Sequence, residues 1–134
     1  MYVLSVLNLS HALDRAMKSA TETESDLLFL CSGEFGEVSY DDAFVAGLGI
    51  KYLKEKYAGF ELGDKAELAY NAASNEKGVY DAFKKSRSGK YALSLRLNED
   101  ILFCSQMNRY AVTGKLDNSP GLEQLDPLLV VAPC

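Results

Sequence analysis

Residues 27–42 read LLFLCSGEFGEVSYDD, and the prediction of the fold starts from this stretch. Its first five residues, Leu27–Cys31, are all apolar, which is typical of a strand that is covered on both faces. Two glycines then break the pattern, and Ser39 can cap a long amphipathic run over Tyr40–Tyr57. The stretch therefore predicts a central strand, a turn and a helix in direct succession.

Strand-like and helix-like runs alternate along the rest of the chain. Short apolar or β-branched runs predict further strands at Tyr2–Leu7, Tyr110–Thr113 and Leu128–Val131. Helical spacing predicts a helix that begins after Asn8 or Ser10, and shorter helices at Asp64–Ala73, Lys77–Lys85, Lys90–Leu97 and Glu99–Gln106. This alternation favours an α/β fold, a three-layer α/β/α domain with a small, mainly parallel sheet. We predict one domain over residues 1–134, with residues 115–134 as a last strand or an irregular tail.

Composition narrows the classes of function. The chain has 134 residues, is 48% hydrophobic and carries a formal net charge of -5, so it can bury one core and is poorly suited to bind nucleic acid. No apolar run approaches the length of a membrane span, and we expect no membrane partner. The three cysteines are widely spaced, which is typical of reduced thiols and of a cytoplasmic protein.

The turn after Leu27–Cys31 is the first candidate site, because ligands of open α/β sheets bind where strands end. Its glycines would let backbone amides approach an oxyanion, and the next helix would add its positive end. An ordinary strand-to-helix turn explains the same residues. A cysteine phosphatase would need arginine where Glu37 stands, and a dinucleotide fingerprint would need a third glycine. The candidate anion-binding residues are Cys31, Ser32, Gly33, Gly36 and Ser39.

Four carboxylates lie within nine residues, at Glu34, Glu37, Asp41 and Asp42. Carboxylate oxygens in such a group suit Mg²⁺, which takes one or two carboxylates and keeps several waters. The favourable position of acids in the first turn of a helix also explains Asp41 and Asp42. Asp100 is a further candidate, with helix capping as its alternative.

Cys31 would act as a nucleophile only if a histidine or a cation lowered its pKa. The single histidine, His11, precedes it by one predicted helix. Core packing is the more common role of a cysteine that ends a buried strand. The basic cluster of the chain has the pattern of a solvated helix edge; it comprises Lys84, Lys85, Arg87 and Lys90.

Three blocks of the sequence resemble the 2-phosphosulfolactate phosphatase family. The middle block is similar to the family pattern C-A-G…G…S-L-E-D…A-G, and it comprises Cys31-Ser-Gly, Gly36, Ser39, Asp41-Asp42 and Ala46-Gly47. The flanking blocks resemble the patterns L-x-N-A-S/A and S-x-G…L…D-I/V…C, and they comprise Val6-Leu-Asn8-Leu-Ser10 and Ser88-Gly89…Leu93…Asp100-Ile101…Cys104. The resemblance spans about residues 3 to 113.

The resemblance implies magnesium-dependent hydrolysis of a small phosphorylated, sulfonated hydroxy acid, in a pathway to coenzyme M. It implies Asp42 as metal ligand or ligand orienter, with Asp41 next and Glu34 as a second metal ligand. Asn8 would join the turn residues in binding substrate, and Cys31 would shape the turn without attacking. Glu37 departs from the family pattern, and Asp41-Asp42 stands where the family has Glu-Asp.

The family's chains are about twice as long, so the resemblance implies that this chain corresponds to their C-terminal portion. The expected partners are a small phosphorylated substrate, the missing N-terminal half and, as another possibility, a second copy in a homodimer. The alternative function is a non-catalytic anion-binding or interaction module.

Overall fold

Helices dominate the computed structural model, which describes residues 1–116 and 131–133. In this part the helices are α1 Leu9–Glu22, α2 Tyr40–Lys56, α3 Asp64–Ser74, α4 Val79–Lys85, α5 Arg87–Ser94 and α6 Asn98–Cys104, and the strands are β1 Gly114–Leu116 and β2 Val131–Pro133. The chain divides into two units. The first unit is Met1–Leu27 with the described residues from Asn108 onward, and the second unit is Leu28–Met107.

The first unit joins an amphipathic helix to a short antiparallel sheet. A 3-10 turn over Val6–Asn8 leads into α1, whose buried side chains recur at helical spacing. Strands β1 and β2 pair antiparallel, with Lys115 opposite Ala132. The backbone N–H of Val3 donates to the carbonyl of Gly114 at 2.8 Å, so the first residues run alongside β1.

The second unit is helical, and close packing between α2 and α3 forms much of its core. A Cβ atom built on Gly47 of α2 would lie 2.0 Å from the carbonyl oxygen of Ala69 on α3, so only glycine permits this approach. Phe44 is 1% exposed and meets Phe83 of α4 edge to face, with ring centroids 6.1 Å apart. Gly47 therefore serves contact between helices.

The predicted three-layer α/β/α fold with a mainly parallel sheet is wrong. The described residues contain only the antiparallel pair β1–β2, and Leu27–Cys31 forms no strand. Leu28 and Leu30 are 88% and 76% exposed. A strand requires a hydrogen-bonding neighbour as well as apolar residues, and among the described residues this segment has none.

The other predicted strands also differ from the structure. Tyr2–Leu7 contributes one isolated bridge, between Tyr2 and Lys115, and then enters the 3-10 turn. Tyr110–Thr113 ends where β1 begins. Of Leu128–Val131, only Val131 lies inside the described residues, as the first residue of β2.

Helix prediction was more accurate. Helices α3, α4 and α6 lie at the predicted positions, with ends displaced by up to two residues. The helix predicted at Lys90–Leu97 corresponds to α5, which begins earlier, at Arg87. It follows a break at Ser86, whose hydroxyl accepts a hydrogen bond from the N–H of Gly89. In the described part of the chain, no helix has both the length and the apolar character needed to cross a bilayer.

Candidate functional site

The loop between Cys31 and α2 folds into a tight hairpin. The backbone groups of Glu34 and Glu37 exchange two hydrogen bonds, at 3.0 and 2.9 Å. The two residues between them, Phe35 and Gly36, have φ values of 52° and 80°. Positive φ at both central positions is the requirement of a type I′ turn, which usually contains asparagine, aspartate or glycine there. The loop therefore holds one bulky residue, Phe35, in a costly backbone conformation.

Gly33 connects this hairpin to the following helix. Its φ is 72°, and an added Cβ would lie 2.5 Å from the carbonyl oxygen of Glu37. Its N–H donates to Oδ2 of Asp42 at 2.8 Å. Glycine is thus required at position 33 both for the backbone conformation and for space.

Asp42 fastens the loop to the first turn of α2. Its Oδ2 accepts the Gly33 bond and a second hydrogen bond from Oγ of Ser32 at 3.2 Å. A carboxylate at this position also interacts favourably with the positive end of the helix. Asp41 faces a different neighbour, since its Oδ1 accepts a hydrogen bond from Oγ of Ser39. The acidic pair therefore diverges, as adjacent residues of a helix must.

An open hollow of about 250 Å³ lies against the loop. It is lined by Cys31, Ser32, Gly33, Gly36, Glu37, Val38 and Ser39. These include all the residues proposed from the sequence for substrate binding except Asn8. The backbone N–H groups of Gly36 and Val38 are among those of the loop that have no hydrogen-bond partner in the described residues, so they are available as donors.

Asn8 belongs to the first unit, where its side chain has structural bonds. Its Oδ1 accepts from the backbone N–H and the hydroxyl of Ser5, and its Nδ2 donates to the carbonyls of Val3 and Val112. These four bonds match the hydrogen-bonding capacity of the amide well. Asn8 thereby ties the N-terminal residues to the segment before β1, and substrate binding by Asn8 stays a prediction.

The Cys31 thiol is poorly suited to nucleophilic attack. Partial desolvation and, secondarily, the negative charge of Asp42 raise the pKa of Cys31 above its ordinary value of 9.0. The thiolate is the nucleophilic form, and a raised pKa makes it scarcer near neutral pH. His11 lies on α1 in the first unit, where its buried Nε2 has no hydrogen-bond partner within the described residues. Its pairing with Cys31 stays a hypothesis.

The carboxylates suit magnesium in type but not in number. The described residues contain no group of three or more histidine, cysteine, aspartate or glutamate side chains that could hold a metal ion. Glu34 lies 3.9 Å from Nε of Arg87, and Oδ2 of Asp42 is engaged by the loop. Oδ1 of Asp42 has no partner among the described residues, so it is one of the carboxylate oxygens of the loop that are available. Asp100 lies in the first turn of α6, whose N-cap is Leu97 and has no side-chain capping hydrogen bond.

A polar cluster next to α2 was not predicted. The Tyr40 hydroxyl and Nζ of Lys85 both donate to Oε1 of Glu76, and Lys85 also lies 3.2 Å from the Tyr40 oxygen. The hydrogen bond from Lys85, followed by that from Tyr40, lowers the pKa of Glu76. Bonding to Glu76 in turn raises the pKa of Lys85.

The sequence carries no local signal for this cluster, because Tyr40 and Glu76 are 36 positions apart. It also gave no signal that Arg87 would approach the loop through Glu34. Arg87 nevertheless is a cation close to the hairpin, and its side chain is 67% exposed. Arg87 therefore supplies the positive charge that anion binding at the loop would require.

Comparison with known proteins agrees with the resemblance of the three sequence blocks. The chain matches the family described as 2-phosphosulpholactate phosphatase over residues 1–119. It is 30% identical over 115 residues to a "Probable 2-phosphosulfolactate phosphatase" of Thermotoga petrophila, covering 85% of this chain and 47% of that protein. A Clostridium perfringens protein of the same name is 33% identical over 107 residues, with 79% and 41% covered. The chain spans about half the length of the curated relatives it matches. It belongs to the 2-phosphosulpholactate phosphatase family.

Proposed function

We propose that this chain supplies the anion-binding loop of a phosphatase that acts on a small phosphomonoester such as 2-phosphosulfolactate. Membership of the family supports the reaction class. The observation that carries the proposal is the hollow of about 250 Å³ bordered by the Cys31–Ser39 loop, with the amides of Gly36 and Val38, which have no partner among the described residues, at its wall. Cytoplasmic location and a role in coenzyme M formation remain predictions from the resemblance.

In this proposal the loop residues bind and orient the phosphoryl group. The N–H groups of Gly36 and Val38 donate to its oxygens, as backbone amides do in anion-binding turns. The bonds from Gly33 and Ser32 to Asp42 keep the turn in place before substrate arrives, which avoids reorganisation during the reaction. The guanidinium of Arg87 offsets the negative charge of Glu34 beside the bound anion.

Magnesium is the metal that we propose for the reaction, and Oδ1 of Asp42 is the oxygen that would hold it. Bound magnesium would supply positive charge to the phosphoryl oxygens. With one carboxylate ligand, most of its remaining ligands would be water and substrate, an arrangement that magnesium tolerates. Asp41 and Glu34 follow Asp42 in the order that the resemblance implies.

Phosphate binding can be measured on this chain directly. Titration with inorganic phosphate, followed by amide NMR, is expected to shift the signals of Gly36 and Val38 most. Gly33→Ala should weaken binding, because it forces the loop away from Asp42. Gly63→Ala is the matched control, since an added Cβ there meets nothing within 4 Å. If the loop signals do not move at saturating phosphate, the proposed anion site is wrong.

Catalysis requires a separate measurement, because the relatives are about twice as long. A chimera would carry this chain in place of the matching segment of the Thermotoga petrophila relative. We expect magnesium-dependent release of phosphate from 2-phosphosulfolactate, and a loss of about 100-fold or more in Asp42→Asn, as for removal of a key electrostatic group. Full activity of Asp42→Asn would exclude the proposed role of Asp42.

A non-catalytic anion-binding module is the second candidate function. It is favoured by the internal bonds of Asp42 and Glu34 and by the lack of a three-ligand group among the described side chains. In that case the titration would show phosphate binding to the loop, while the chimera would bind phosphate without hydrolysing the ester. The two experiments together therefore distinguish the two candidates.

A further inference from the structure

A polar cluster on neighbouring elements holds Tyr40, the first residue of α2. The Tyr40 hydroxyl donates to Oε1 of Glu76, in the connection between α3 and α4, and Nζ of Lys85, at the end of α4, donates to the same oxygen. The side chain of Glu76 is 10% exposed, so these two donors replace water around its charge. Nζ of Lys85 also lies 5.0 Å from the centre of the Tyr40 ring, a cation–π distance. The first turn of α2 is therefore fixed relative to α4.

Tyr40 stands between two residues of the candidate site. Ser39, directly before it, lines the hollow. Asp42, two positions after it, accepts the hydrogen bonds from Ser32 and Gly33 that fasten the loop. A shift of the first turn of α2 would move the Asp42 carboxylate away from both donors. Because hydrogen bonds weaken steeply when they are stretched or misaligned, a small shift is enough to loosen the loop.

The connection between α4 and α5 sends a cation to each side of the loop. Lys85 ends α4 and reaches Tyr40, whereas Arg87 begins α5 and lies 3.9 Å from Glu34 of the hairpin. Ser86 between them is 2% exposed, and its hydroxyl has hydrogen bonds to two backbone groups, which gives both cations a rigid base. The pair of Arg87 and Glu34 is partly exposed and contributes little. The cluster at Tyr40 is the stronger support.

We propose that Tyr40 is a positioning residue for the anion-binding loop, and that its bond to Glu76 holds the first turn of α2 where Asp42 can fasten that loop. Among the described residues that line the hollow, neither Tyr40 nor Glu76 occurs, so their effect on a bound anion is indirect. The inference rests on the proposed function for the ligand, whereas the positioning of the loop is measurable without one.

Phosphate titration of two hydroxyl variants tests the inference, with amide NMR as the readout. Tyr40→Phe keeps the ring and removes the bond to Glu76. We expect it to weaken the binding of inorganic phosphate about three- to tenfold, the effect of one net hydrogen bond. Tyr80→Phe is the matched control, because the Tyr80 hydroxyl donates to Oδ1 of Asn98 at 2.7 Å within the same unit. It should leave the phosphate affinity unchanged, and circular dichroism checks that both variants keep their helices.

Substitutions of Glu76 separate positioning from general stability. Glu76→Gln keeps an oxygen that can accept from Tyr40, whereas Glu76→Leu removes it at similar size. Phosphate affinity should follow the acceptor, with Glu76→Gln close to wild type and Glu76→Leu as weak as Tyr40→Phe. The double variant Tyr40→Phe/Glu76→Leu should bind no more weakly than either single variant, because both changes remove one interaction.

Hydrogen exchange at Gly33 provides a readout that needs no ligand. Its N–H donates to Asp42, so its exchange should be faster in Tyr40→Phe than in wild type and unchanged in Tyr80→Phe. An unchanged exchange rate of Gly33 in Tyr40→Phe overturns the inference. So do equal phosphate affinities of Tyr40→Phe and Tyr80→Phe when the wild-type chain binds phosphate. If the wild-type chain binds none, the proposed function is wrong, and the exchange rate of Gly33 still decides the role of Tyr40.

Discussion

Phe35 has a left-handed backbone conformation, with φ of 52°, in a turn where asparagine is preferred. Its ring is 91% exposed, so packing within the chain does not compensate for the strain. Phe35→Asn is expected to stabilise the chain by about 1 kcal/mol, because asparagine tolerates this region at lower cost. Urea unfolding measures the effect. Phe35→Ala removes the same ring but keeps the strain, and a stability equal to or above that of Phe35→Asn would contradict the explanation.

Gly33 and Gly36 allow backbone strain to be separated from steric overlap, because both have positive φ but only Gly33 lacks room for a Cβ atom. Both have positive φ, but a Cβ at Gly33 would lie 2.5 Å from the Glu37 carbonyl oxygen, whereas one at Gly36 meets nothing within 4 Å. Alanine at either position should cost about 1–2 kcal/mol for its backbone conformation. Gly33→Ala should cost a further 1 kcal/mol or more, roughly, because the contact forces the hairpin to move. Equal unfolding free energies for the two variants would show that the loop adapts without strain.

At the scale of elements, α2 and α3 are held together at Gly47. An added Cβ would lie 2.0 Å from the Ala69 carbonyl oxygen and 2.8 Å from Cβ of Ala73, so neither neighbour can yield without moving α3. Gly47→Ala should therefore destabilise the second unit by about 2–3 kcal/mol, despite the better helix propensity of alanine. Thermal unfolding followed by circular dichroism measures the change. The control is Gly63→Ala, at the N-cap of α3, with an expected cost below about 1 kcal/mol.

The elements also show what can be predicted from the sequence. The helices could be predicted, because amphipathic spacing and turn residues lie within the segment that folds. Whether Leu27–Cys31 forms a strand could not be decided locally, since a strand depends on a neighbour from any other part of the chain. The two glycines correctly indicated a turn, and the anion site beside it stays a prediction. The bond from Gly33 to Asp42, and the approach of Glu76 to Tyr40, depend on tertiary packing and carry no local signal.

At the scale of the whole molecule, negative charge outweighs positive charge, with 19 acidic and 14 basic side chains. The cluster of Tyr40, Glu76 and Lys85 pairs one of those acids with a cation. Because the pKa of Glu76 is lowered, it contributes stability that is present above its ordinary value of 4.5 and is lost as pH falls through the folded-state value. The pKa of Lys85 is raised, so its contribution is complete below 10.5 and is lost as pH rises through the folded-state value.

These opposite shifts predict that the cluster stabilises the fold fully between roughly pH 4.5 and 10.5. Its contribution to the free energy of unfolding is lost at lower and at higher pH. Glu76→Gln should lower stability at pH 7 and make the acid side of the curve shallower, because the carboxylate that must be protonated is gone. Lys85→Met should have a similar effect at pH 7, and the double variant should cost less than the sum, since both residues act through one interaction. Glu55→Gln, at an exposed position of α2, controls for the loss of one acid. Urea unfolding from about pH 3 to about pH 11 measures the curves. If Glu76→Gln runs parallel to wild type below pH 4.5, the carboxylate of Glu76 does not couple folding to protonation.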